Sequence, residues 1–162
     1  MKALSLTQPV GTLVVMGYKL IETRSFKTTV RGQVLIHAAT SRYLGKGKHR
    51  TSARLISYSP FYKERIGGGL GYDKLPQGAI IGAATIEDVI ETEDVKDGMI
   101  ITRGDKRWHV TAEELAFGDY TPGRYGWLLS NPIKFEKPIP AKGNLSLWDF
   151  DLPELYLPLL RA

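Results

Sequence analysis

Val10, Leu13 and Val14 recur at helical spacing behind Thr7-Gln8-Pro9, a cap-type residue and a first-turn proline, and Gly17 stands where such a helix would stop. Met1 to Leu6 reads as a short first strand, and the chain beyond Gly17 reads as extended. Arg31 to Ala38 predicts a strand with Val34, Ile36 and Ala38 on one face and Leu35 with His37 on the other. Both faces carry apolar groups, so cover is expected on each side. Thr40-Ser41 looks like a helix start, while Gly45 and Gly47 break the helical pattern and predict a loop over Gly45 to Arg50. Gly67-Gly68-Gly69-Leu70-Gly71 predicts a flexible hinge or lid. Neither it nor Gly45-Lys46-Gly47-Lys48 has the spacing of a phosphate-cradling loop.

Ala79 to Ile90 predicts a long strand whose small residues Gly82, Ala83 and Ala84 mark a bend or the close approach of another element. Glu87 to Asp97 holds six acids and one lysine, which predicts a solvated edge away from any basic surface. Met99 to Val110 predicts a hairpin around Gly104-Asp105, and Thr111-Ala112-Glu113-Glu114 a capped helix start. Tyr125 to Phe135 and Leu145 to Phe150 read as strands separated by a turn at Pro138-Ile139-Pro140. The Pro153 to Leu160 tail is expected to pack its leucines onto the barrel these strands would form. No repeat, linker or low-complexity tract divides residues 1–162, so one domain is expected.

Composition narrows the chemistry. The 162 residues are 43% hydrophobic and 24% charged, an ordinary globular balance. Without cysteine there is no disulfide framework, thiolate metal site or thiol nucleophile. Three isolated histidines give no metal cage, no cofactor motif is present, and no Ser-His-Asp elbow is found. The opening residues lack a signal pattern and no apolar run approaches the ~18 residues of a membrane span. A cytoplasmic protein that does not enter membranes is expected. The net charge of +5 is distributed unevenly: residues 1–66 carry twelve Lys or Arg against two Glu, and residues 67–162 carry ten against fifteen acids. A concentrated positive field of this kind points to a polyanion, and nucleic acid is the natural partner.

Two regions carry candidate chemistry. Lys19, Glu22 and Arg24 bring a cation, an anion and a second cation to the helix exit. In an extended chain Glu22 and Arg24 share one face, and they are expected to look outward together. Dipole complementation by Lys19 and an ordinary Glu22–Arg24 surface pair would explain the same residues structurally. From Arg42 to Arg65, seven basic residues mix with Tyr43, Tyr58, Phe61 and Tyr62. Arg42, Lys46, Lys48, Arg50 and Arg54 can hold phosphates while tyrosine faces stack on unpaired bases.

Leu4-Ser5-Leu6-Thr7-Gln8-Pro9, Gly-x-Lys-x-x-Glu-x-Arg-Ser at 17–25, Arg31-Gly32 and Leu35-Ile36-His37-Ala38 together resemble the ASCH domain family. Gly78-Ala79-Ile80-Ile81-Gly82, Ser130-Asn131-Pro132, Pro138 to Gly143 and Leu147-Trp148 follow in the family's order. The resemblance implies an α+β fold, a small mixed β-barrel of PUA-like type with peripheral helices. It also implies a charged cleft for RNA or a modified nucleotide, with Gln8 and Ser130 near it. Within that cleft Glu22 would accept from an exocyclic amine, Arg24 would grip phosphate or carbonyl oxygens, and Lys19 would steer the backbone.

The family also contains ribonucleases, amidohydrolases acting on an acetylated cytidine, and coactivator-associated modules. An RNA-directed hydrolase using Lys19, Glu22 and Tyr43, and a protein-interaction module, are therefore the alternatives. The amidohydrolases carry a threonine where this chain has Glu22, and a carboxylate cannot replace a hydroxyl without changing the chemistry. His37 lies in an apolar strand and reads as a hydrogen-bonded core histidine.

Overall fold

The structure is a computed structural model that describes every residue except Lys46, Gly47, His49, Gly68, Gly104, Asp105 and Ala162, with the backbone alone at Gly69 and Leu70. It is an α+β fold with one large sheet and few helices. In chain order the elements are β1 (Lys2–Thr7), α1 (Val10–Val15), β2 (Ile21–Arg24), β3 (Gly32–Ala39), β4 (Tyr43–Leu44), β5 (Thr51–Ser52) and a 3-10 helix (Ala53–Tyr58). Then come α2 (Pro60–Arg65), α3 (Gly69–Asp73), β6 (Ala79–Lys96), β7 (Met99–Thr102), β8 (Arg107–His109), α4 (Ala112–Phe117), β9 (Tyr125–Pro140), β10 (Leu147–Asp149) and a closing 3-10 helix (Glu154–Arg161).

The strands pair in the order β10-β1-β3-β6, after which β6 pairs both β7, which carries β8, and β9, which carries β2. Among the described ladders only that of β1 and β3 is parallel. No ladder among the described residues closes this sheet into the expected barrel ring. Between β2 and β1 a side chain takes the place of a ladder, the Arg24 guanidinium donating to the Ser5 carbonyl at 2.8 Å.

Alternation along β3 works as the sequence predicts. Val34, Ile36 and Ala38 join the main core with Leu4, Val14 and Trp127, while Leu35 enters a second core with Ile80 and Phe135. The α1 cap differs from the expected one. Pro9, expected in the first turn, stands at the N-cap and offers no side-chain bond; Gln8 before it serves the first turn instead, its Oε1 accepting from the Thr12 N–H at 3.0 Å while its Nε2 donates to Pro76 O at 2.8 Å. Gly17 ends the helix with φ +78, the left-handed conformation that favours glycine.

Thr40-Ser41 starts no helix; β4 follows and pairs with β5 as Tyr43↔Ser52 and Leu44↔Thr51. The glycine-rich hinge is half helical, because Gly69–Asp73 forms α3 and brings Asp73 to the arginines Arg42 and Arg54. β6 extends through the acidic segment to Lys96, so those acids sit on a paired strand instead of a free edge. Pro138-Ile139-Pro140 is not a turn but the end of β9, where Ile139 pairs with Ile80. The β7–β8 hairpin forms as predicted, with its Gly104-Asp105 turn outside the described residues. Thr111 caps α4 by accepting from the Glu114 N–H at 3.1 Å. In the closing helix Tyr156 and Leu160 pack on the second core, whereas Leu155, Leu157 and Leu159 stay exposed.

His37 is buried beneath the 141–146 segment. Its Nε2 lies 3.0 Å from Ala141 O, its Nδ1 3.2 Å from Ser5 Oγ, and its ring meets Trp148 edge-on. Burial holds its pKa below the ordinary value, consistent with a neutral core imidazole. Gly143 leaves room for that ring, since a Cβ there would collide with it.

Candidate functional site

β2 is a short strand against β9, in the register Ile21↔Leu128, Glu22↔Trp127 and Arg24↔Tyr125. Side chains that pair across a ladder share a face. Glu22 and Arg24 do share one, as alternation requires, but it is the inner face with buried Trp127. The expected outward display is therefore not found: this face is covered as well as the Ile21 face, which is buried as expected. Arg24 lies 5.9 Å from the Trp127 ring centroid, and its Nε stands 3.0 Å from Glu22 Oε1 in an ion pair without good hydrogen-bond geometry. Glu22 is 8% exposed and Lys19 only 1%.

Lys19 is held where it lies. Its ammonium donates to Ile21 O and stands 3.9 Å from Glu114 Oε2. Glu114, on α4, also accepts from the Leu20 N–H and from Tyr120 OH. Burial raises the Glu114 carboxyl above its ordinary value, with Lys19 opposing that shift. Burial, reinforced by the Glu114 charge, pushes the Tyr120 hydroxyl up as well. Glu114 and Tyr120 thus belong to the Lys19 cluster and were missed in the sequence. The capping pattern at Thr111 placed Glu114 on a helix, but nothing local to it signals a partner on the far side of the chain.

Above this cluster opens a cleft of about 480 Å³ between the β2–β9 ladder and the β7–β8 hairpin. Leu20, Leu128 and Trp108 form apolar walls, and Glu87, Asp88 and Glu114 supply the charge. No Lys or Arg lines it among the described residues. The acids Glu87 and Asp88 stand at its rim because β6 runs on beside β9. Ser130 donates to Glu87 there, so it reaches the cleft through that carboxylate. Gln8 is 1% exposed and spent on the first turn of α1, away from the lining.

The basic candidates gather around the β4–β5 hairpin and the helix after it. Arg42, Tyr43, Lys48 and Arg50 are exposed there, and Lys46 lies outside the described residues. The Arg50 guanidinium lies 4.2 Å from the Tyr43 ring centroid. Arg54 grips Asp73 with bonds of 2.7 and 2.9 Å, and Arg42 approaches the same carboxylate at 3.6 Å. That pairing, led by Arg54, holds Asp73 below the usual carboxylate range. Lys48 and Arg50 have no ion pair among the described residues. Tyr58 is exposed whereas Tyr62 is fully buried, so the aromatic residues divide between surface and core.

Between the two regions stands α2, whose Arg65 bonds Glu113 at 3.2 Å and lies 5.1 Å from the Tyr18 ring centroid at the cleft's edge. No group of three or more His, Asp or Glu suited to a metal ion occurs among the described residues, and no helix is long and apolar enough to cross a membrane. A search of curated proteins found no match to the chain. Residues 4–139 match the ASCH domain, most of the chain, and the protein belongs to that family of PUA-like RNA-binding modules.

Proposed function

We propose that this protein is an RNA-binding module whose direct phosphate contacts are made by the β4–β5 face, on a PUA-like sheet that approaches a barrel without closing. The observation that carries this reading is the exposed set Arg42, Lys48 and Arg50 around Tyr43, with Lys48 and Arg50 free of ion pairs among the described residues. An arginine already stacked on a tyrosine offers a flat platform beside a cation, which suits an unpaired base and its phosphate. Asp73 offsets part of the charge of Arg42 and Arg54, so those two contribute less than their number suggests.

Lys19, Glu22, Arg24 and Gln8 serve in this reading as the frame that sets the β2 edge and the α1 entry. The hydrolase alternative, with Lys19, Glu22 and Tyr43 as its reacting groups, finds less support. Lys19 and Glu22 are occupied by internal partners, and Tyr43 stands on the separate two-stranded sheet. The RNA is single-stranded in this proposal, since stacking on Tyr43 needs an unpaired base.

The test is a titration of a labelled single-stranded RNA at several salt concentrations, with EDTA and then magnesium present. Affinity is expected to fall as salt rises, and Lys48→Ala or Arg50→Ala to flatten the log–log slope by about 0.7 each. Tyr43→Ala is expected to weaken binding by about 1–3 kcal/mol with the slope unchanged. Unchanged affinity in Lys48→Ala and Arg50→Ala would contradict the assignment. RNA cleavage lost in Tyr43→Phe would favour the hydrolase.

A further inference from the structure

The cleft over Glu114 is unlike the basic face in every chemical respect. Its lining carries three carboxylates, Glu87, Asp88 and Glu114, and no basic side chain other than His109 among the described residues. Asp88 is neutralised by Arg31 at 3.0 Å and Glu114 faces Lys19 at 3.9 Å. Glu87 is different. It is exposed, its partner is the Ser130 hydroxyl, and it has no ion pair among the described residues. Beside it in the cleft stand Trp108 and Leu20, each 42% exposed. A phosphate entering here would meet a net negative wall, so the cleft is unsuited to a nucleic-acid backbone.

We propose that this cleft is a second binding site, independent of the RNA face, and that its ligand is the guanidinium of an arginine side chain in a peptide. The recognition chemistry is complementary at each part of that side chain. The flat cation lies on the Trp108 indole, which attracts it through the ring quadrupole. Its N–H fork meets the Glu87 carboxylate, whose two oxygens accept in parallel. The methylene stem runs along Leu20 and Leu128, where it loses contact with water. A lysine fits less well, because its ammonium is compact, strongly hydrated and unable to form the planar fork. The volume of about 480 Å³ lies in the range of small-ligand pockets and accommodates one side chain with its stem.

The experiment follows the Trp108 indole N–H resonance while N-acetyl-arginine amide, its uncharged isostere N-acetyl-citrulline amide, N-acetyl-lysine amide or cytidine is added to the full chain. A short peptide with a central arginine forms a further arm. The arginine amide and the peptide are expected to shift Trp108 saturably, with citrulline about tenfold weaker or worse, since the charge and the fork are lost together. Glu87→Gln is expected to reduce arginine affinity to a similar degree and Trp108→Ala to remove it by calorimetry. Both side chains are exposed, so neither substitution should disturb folding. Citrulline binding as well as arginine, cytidine binding more tightly, no saturable shift with any arginine ligand, or Glu87→Gln leaving affinity unchanged would each overturn the proposal.

Discussion

Replacing Lys19 with Met is expected to destabilise the protein by about 3 kcal/mol or more at neutral pH, because the substitution leaves the Glu114 carboxylate buried without its cation. Met keeps much of the volume, so the loss reports charge and hydrogen bonding more than a cavity. The same change removes the donor to Ile21 O. The pH dependence has a definite sign. The folded Glu114 carboxyl titrates above its ordinary value of 4.5, so the folded state binds more protons than the unfolded state just above that pH. Stability from this group therefore falls as pH rises through the window between the two values. Lys19→Met removes the attraction that opposes the shift, so its destabilisation should be larger at pH 8 than at pH 5. Adding Glu114→Gln to Lys19→Met should recover most of the loss and abolish that pH dependence. A denaturant-melt cycle over the four proteins measures this, and additive effects of the two substitutions would show that Lys19 and Glu114 do not interact.

Gly82→Ala is expected to prevent stable folding. A Cβ at this position would overlap the Ile133 carbonyl oxygen and stand 2.7 Å from Val15 Cγ1. The β6–β9 pairing is already irregular on both sides of Gly82, where the strand passes beneath α1. Relief would require backbone movement at the centre of the sheet, and the cost is on the order of 3 kcal/mol or more. Trimming the helix side with Val15→Ala should not rescue the variant, because the Ile133 carbonyl remains. A useful contrast is Gly11→Ala, whose Cβ would meet its nearest neighbour, Ile81 Cδ1, at 3.4 Å and should be tolerated. A circular-dichroism melt of Gly82→Ala matching that of the unsubstituted protein would contradict this account of the sheet.

These two sites illustrate what the sequence could and could not express. The need for small residues near Gly82 was legible, since a run of Gly and Ala inside a β-branched strand has few other causes. The two-faced burial of β3 was legible for the same reason: alternation converts directly into faces. The Thr111 cap is likewise a local signal fulfilled locally. Asp97-Gly98 carried an equally strong signal that went unread. Both residues have positive φ and join β6 to β7 as a two-residue hairpin turn.

The candidate site was less legible because its character depends on partners remote in the chain. Lys19 and Glu22 look like solvent-facing charges until Glu114 and Trp127 are brought beside them, and no periodicity encodes that. The acids of the 87–97 segment suggested a solvated edge. Their strand instead continues beside β9, with a register shift between Ile86 and Asp88, and carries Glu87 into the cleft. The basic face fared better, because charge density is a property of the segment itself and survives whichever element forms. Its secondary structure was misread, as a helix start where a hairpin stands, without altering which side chains reach solvent.

The central claim is that RNA lies across the β4–β5 face and leaves the acidic cleft empty of phosphate. Amide chemical-shift mapping of the isotopically labelled protein, titrated with a single-stranded RNA oligonucleotide, tests it most directly. The account predicts saturable shifts concentrated at Arg42, Tyr43, Leu44 and Arg50 to Arg54, with Trp108, Leu20 and Glu87 unmoved. Shifts centred on Trp108 and Leu20 with a silent β4–β5 hairpin would contradict it.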